Sequence, residues 1–128
     1  MSKIIVKQTE LAEFFGVNRV TIREWQIKGM PYRKAKGKGH SGEYVSPLCL
    51  NWRVGDVWNT KYRWDLNSIE KILAAWIGGH MIGRDRFELD AESEKHFESM
   101  IDHIKREMGA SESEVFMAIG KVKQILNV

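Results

Sequence analysis

The side chains with the most specific chemical reach lie between positions 18 and 38. Arg19, Val20 and Arg23 fall on one side of a helical wheel, away from Ile22 and Trp25. A guanidinium matches the paired acceptors of a guanine edge, and a valine methyl can meet the methyl of thymine. Asn18, Thr21, Gln26 and Lys28 add polar and cationic groups over the same stretch. Glu24 shares the face and would repel phosphate unless it accepts from cytosine. Arg33, Lys34, Lys36 and Lys38 follow in a run, Tyr32 to Gly42, that holds three glycines. Cations on such a loop suit phosphates, whose neutralisation releases counterions. The chemistry indicated is recognition of a polyanion.

Other chemistries are poorly supplied. His96 and His103 are seven apart and so share one helix face. They could offer two metal ligands, but no carboxylate or thiol is forced near them, and a polar helix surface is the simpler reading. The single cysteine, Cys49, excludes an internal disulfide and a Cys-rich zinc site, and its apolar neighbours predict a buried, inert thiol. No P-loop pattern occurs, so any ATPase must belong to a partner. No metal, no cofactor and no enzymatic activity are predicted.

The elements that must position the basic residues are legible from caps and periodicity. Lys3 to Lys7 reads as a short strand. Thr9 can cap a helix starting at Glu10, with Leu11, Ala12, Phe14 and Phe15 apolar, and Gly16 ends it. Asn18 caps a second helix that runs to about Lys28, with Ile22 and Trp25 inward, and Gly29 with Met30-Pro31 closes it. Two short helices across Gly16-Val17-Asn18 predict a helix-turn-helix. The Gly-Lys loop fits a β-hairpin wing, and Glu43-Tyr44-Val45 the returning strand.

Beyond residue 45 two readings compete. Ser46-Pro47 can open a helix, whereas Leu48, Leu50, Trp52 and Val54 alternate with a strand period. The alternation and Gly55 favour strand structure through about Trp58, a turn at Asn59-Thr60, and another strand at Lys61 to Trp64. Asp65 or Asn67 then opens a helix bearing Ile69, Ile72, Leu73 and Trp76, which Gly78-Gly79 ends. Asp90 caps a helix to Met108, and Ser111 with Glu114 forms a capping box for the last one.

The fold class predicted is mainly α with a small β wing. The expected division is a winged helix-turn-helix DNA-binding domain at 1–77, a linker at 78–89 and a helical hairpin at 90–128. Charge follows the same division. Residues 1–40 hold nine Lys and Arg against three Asp and Glu, while residues 90–128 hold five against eight. The whole chain of 128 residues carries +3. Such polarity suits a basic half that meets a polyanion and an acidic half with another task. No stretch is long and apolar enough to span a bilayer, and no secretion signal is visible, so a soluble, cytoplasmic protein without membrane contact is expected.

Lys7 to Pro31 resembles the winged helix-turn-helix of lambda-type phage terminase small subunits, which recognise viral DNA for packaging. The matching residues are Leu11-Ala12, Phe15-Gly16, Thr21-Ile22, Trp25-Gln26 and Gly29-Met30-Pro31, and the Gly37-Lys38-Gly39 wing follows at a similar distance. Excisionases and MerR-like regulators share much of the pattern. Tyr62 to Leu66 resembles the strand-to-helix entry after the wing in these relatives. The segment Glu43 to Lys61 is longer than a usual wing. If Tyr44-Val45-Ser46 is the matching entry instead, a helix begins at Pro47.

The resemblance implies a double-stranded DNA-binding protein that assembles into a homo-oligomer and engages a large terminase subunit, an ATPase and nuclease. The alternative is a phage or plasmid transcription regulator or excisionase with the same domain; a small enzyme or RNA-binding module stands further off. The hairpin should carry assembly through Phe97, Met100, Ile101, Ile104, Val115, Phe116, Ile119 and Val122. Phe116 and Met117 lie off its main stripe and form a second apolar strip.

Overall fold

The computed structural model describes residues 4–34 and 42–128. Among these, the elements in chain order are β1 (Ile5–Lys7), α1 (Gln8–Phe15), α2 (Arg19–Lys28), β2 (Glu43–Val45), α3 (Ser46–Lys61), α4 (Ser68–His80), α5 (Ala91–Met108) and α6 (Glu112–Leu126). The chain is mainly helical with a small antiparallel sheet, in which Ile5 pairs with Val45, Val6 with Tyr44 and Lys7 with Glu43. On its other side Glu43 exchanges both backbone hydrogen bonds with Arg33, at 2.7 and 3.0 Å. The two ends of segment 33–43 are therefore held together by this bridge. The glycines and lysines expected at the wing tip, Lys36 and Lys38 included, lie outside the described residues.

Helix starts follow the local chemistry closely. The Asn18 carboxamide accepts from the Thr21 N–H at 2.9 Å, and Asp90 accepts from Ser93 at 2.8 Å. Asn67 and Glu70 cap α4 reciprocally at 2.8 and 2.9 Å, and Ser111 with Glu114 does the same for α6. Each satisfies backbone donors that the first helical turn would leave unpaired. The first helix begins earlier than Thr9 predicts. Its cap is Lys7, whose N–H donates to the Glu10 carboxylate at 3.1 Å.

The larger correction is α3. The expected strands through Trp58 and at Lys61–Trp64 are absent among the described residues; 46–61 is one helix, and 62–67 is the turn after it. Pro47 lies in its first turn, where a missing N–H costs nothing. Its buried positions are Leu48, Cys49, Trp52, Gly55 and Asp56, a spacing of three and four. Leu50, which the strand reading turned inward, is exposed. Gly55 is the reason this helix can lie where it does. A Cβ there would stand 1.9 Å from the Lys71 carbonyl oxygen of α4, so the two backbones touch at this point. Gly78-Gly79 also does not end a helix: α4 continues to His80, with Gly78 leaving room for the Trp58 ring.

The last two helices do not chiefly face each other. α6 packs along α4, and α5 makes smaller contacts with α3, α4 and α6. Ala118 and Val122 enter the same connected core as Ile72, Leu73 and Ile77. Lys121 fixes the alignment, reaching the Asp65 carbonyl at 2.7 Å and the Glu70 carboxylate at 3.1 Å. Phe87, after α4, stands edge-on to both Trp76 of α4 and Phe97 of α5, whose own rings are tilted at 39°, so the three form one aromatic cluster.

Candidate nucleic-acid interface

Helix α2 is held from three sides. Ile22 and Trp25 are buried, and the Trp25 ring stands edge-on to Phe15 of α1, with centroids 5.1 Å apart. The Arg53 guanidinium of α3 lies 4.6 Å from the Trp25 centroid and also pairs with Asp56 at 3.2 Å. Asp56 is buried, and Lys71 of α4 completes its charge balance at 3.0 Å. A buried carboxylate with two cationic partners avoids the penalty of an isolated charge. The chain α2–Arg53–Asp56–Lys71 thus fixes the helix against both α3 and α4.

The end of α2 is fixed as tightly. Gly29 has φ 116°, a conformation that side chains resist, and a Cβ there would fall 2.2 Å from Ser68 Oγ. The same hydroxyl accepts from the Trp52 indole at 3.2 Å. After the turn, the Cys49 thiol donates to the Pro31 carbonyl at 3.4 Å. Burial pushes this thiol up to about 12, so it stays protonated at neutral pH, and its burial is what the sequence predicts.

The sequence-derived site residues divide into two groups. Arg19, Val20, Arg23 and Lys28 are exposed on α2, and Lys34 is exposed next to the Arg33–Glu43 bridge. The other described ones are engaged within the fold, and Lys36 and Lys38 lie outside the described residues. Asn18 holds the Thr21 backbone and also its hydroxyl, at 3.2 Å. Gln26 accepts from the buried Tyr44 hydroxyl, which in turn accepts from the Gln8 amide at 3.4 Å. This polar relay joins α2, β2 and α1. Burial raises the Tyr44 hydroxyl above the ordinary tyrosine range, so it remains a donor at neutral pH.

Arg33 is the clearest redirection. Its guanidinium forms a two-pronged pair with Glu107 of α5, at 2.8 and 2.5 Å. The hydrogen bonds raise the Arg33 pKa and hold the Glu107 carboxyl below the usual carboxylate range. The Arg33–Glu43 bridge is therefore tied to α5, a connection no local signal announces.

Of the residues assigned to assembly, Met100, Ile104, Val115 and Val122 are buried in the monomer's own core, and Phe97, Ile101 and Ile119 are half-buried. Phe116 and Met117, the strip off the main stripe, are 77% and 71% exposed. One exposed residue of α2 escaped the sequence reading: Ile27, at 88%. Its position one helical turn beyond Arg23 and Glu24 was the available signal. Among the described residues, no group of three His, Cys, Asp or Glu side chains could hold a metal ion, and no helix is long and apolar enough to cross a membrane.

No family model matches the chain. Individual proteins do. A DNA-packaging protein NU1 homolog of Escherichia coli K12 is 34% identical over 73 residues, 55% of this chain and 39% of that protein. The terminase small subunit of Escherichia phage lambda is 30% identical over 87 residues, 66% of this chain and 48% of that protein. A P21 prophage-derived terminase small subunit from Escherichia coli O6:H1 is 28% identical over a stretch of the same length. The chain thus spans less than half the length of these relatives. The resemblance to lambda-type terminase small subunits, carried in the sequence by the Leu11 to Pro31 motif, extends to whole aligned segments.

Proposed function

We propose that the chain binds double-stranded DNA as a terminase small subunit of the lambda type, marking phage DNA for packaging. The observation that carries this reading is the conjunction on α2. The helix is fixed on its buried side by Ile22, Trp25 and Gln26, and its opposite face presents Arg19, Arg23 and Lys28 to solvent. A rigid helix with a cationic outer face is what major-groove reading requires. In this reading α1 and α2 are the helix-turn-helix, and segment 33–43 is the wing that follows the phosphates. The names of the similar proteins support the packaging role. The exposed side of α6, centred on Phe116 and Met117, is assigned to assembly of copies and to the large, ATP-driven subunit. No catalytic role is assigned to this chain, and the host cytoplasm is its place of action.

The test is duplex binding measured by fluorescence anisotropy as a function of salt. Affinity should fall steeply with salt and be higher for a duplex enriched from a random pool than for a scrambled one. Failure to bind any duplex at low salt would overturn the reading.

A further inference from the structure

The exposed face of α2 carries an apolar line where a solvated helix would carry polar groups. Val20 and Ile27 are seven residues apart, so they lie within about 20° of each other around the helix. They occupy the line opposite the buried Ile22 and Trp25. Val20 is 55% exposed and Ile27 is 88% exposed. Arg19 and Arg23 flank the line on one side, Glu24 and Lys28 on the other, and all four are exposed. An isoleucine at this exposure contributes nothing to the core. Its cationic neighbours argue against a purely apolar protein occupant and for a polyanion with methyl groups on its reading surface. The major groove of DNA is such a surface, because thymine presents its C5-methyl there.

Resting on the DNA-binding reading above, we infer that Ile27 is a specificity-determining residue, and that Val20 and Ile27 together read two thymine methyls. The rise per residue separates the two side chains by about 10.5 Å along the helix. At about 3.4 Å per base pair, that is roughly three base-pair steps. Arg23 and Glu24 lie between them, positioned for a guanine edge and a cytosine amino group. The preferred site is therefore a short G·C element bracketed by thymines, read by one face of one helix. Substitution of Ile27 leaves the fold intact, since nothing packs on it.

The experiment enriches a duplex from a randomised pool with the full chain. The winning duplex is then resynthesised with deoxyuridine replacing thymine one position at a time, which removes one methyl and nothing else. The expected result is a loss of about fourfold in affinity at each of two positions roughly three base pairs apart, from the transfer free energy of one buried methyl. Ile27→Ala should abolish the loss at one position, and Val20→Ala at the other. If the chain enriches a sequence and deoxyuridine changes nothing, the inference is wrong while the DNA-binding reading stands. If Ile27→Ala lowers the mass of the particle in light scattering and leaves the thymine-to-deoxyuridine ratio unchanged, Ile27 is a protein contact and the inference is likewise wrong. If no duplex binds, both fall.

Discussion

Two arginines of the basic half have different employments. Arg23 is exposed on α2, whereas Arg33 is engaged by Glu107. Arg23→Ala should therefore cost about 1–3 kcal/mol on an enriched duplex and little on a random one. Equal loss on both would mean that Arg23 touches only phosphate. Glu107→Gln should act on stability. The Arg33 guanidinium is partly exposed, so the pair is screened, and a loss of about 1 kcal/mol in urea unfolding is expected. The sign of its pH dependence follows from the direction of the shift. Glu107 is held lower in the folded chain than the ordinary carboxylate value of about 4.3. Its contribution is complete above that value and is lost as pH falls through the lower folded value. Glu107→Gln should then reduce the pH dependence of stability below about pH 4.5, leaving the difference between variant and wild type constant near neutrality.

At the scale of the elements, two helical glycines make opposite predictions. Gly55 of α3 sits against the α4 backbone, and a Cβ there would stand 1.9 Å from a carbonyl oxygen that cannot rotate away. Alanine gains about 1 kcal/mol of helix propensity over glycine, but forced separation of packed helices costs more. Gly55→Ala should lower the thermal midpoint, with a net loss near the upper end of about 1–3 kcal/mol. Gly120, inside α6, has nothing within 4 Å of its missing Cβ. Gly120→Ala should raise stability by about 0.5–1 kcal/mol, read from the same melt. A destabilised Gly120→Ala in the assembled protein would instead indicate that a neighbouring copy occupies that space. The basic flank carries its own prediction. Lys28 of α2 and Lys34 next to the Arg33–Glu43 bridge are both exposed, and their joint replacement by alanine should flatten the slope of log K against log salt by roughly two.

For the whole molecule, the joining of α6 to α4 narrows what assembly can use. Val115, Ala118 and Val122 are taken up in the monomer's core, which leaves Phe116 and Met117 as the apolar surface on the other side of α6. Ser113, Gly120 and Gln124 continue that line without a charge. Phe116→Asp should lower the oligomer mass in light scattering and weaken DNA binding through lost multivalency. Because Phe116 is exposed, the unfolding free energy of the dissociated chain should stay within about 0.5 kcal/mol of wild type. A wild-type chain that runs as a monomer would remove this role from α6.

What the sequence determined by itself was what neighbours within four residues decide. Asn18, Asp90, and Ser111 with Glu114 begin their helices, and Gly16, Gly29 and Gly109 end theirs at positive φ, whereas the choice of Asn67 over Asp65 to open α4 was left open. The basic outer face of α2 was legible for the same reason, since Ile22 and Trp25 set which side is buried. The state of 46–61 was not, because Leu48 and Trp52 fit a strand alternation and a helical stripe equally, and Gly55 reads as a breaker until α4 is laid against it. Nor was the employment of polar side chains. Gln26 meets Tyr44 across 18 positions and Arg33 meets Glu107 across 74, so only the packed chain brings these partners together. The face that α6 turns to α4 was likewise open, since an amphipathic stripe states that it will be covered and the tertiary structure decides by what.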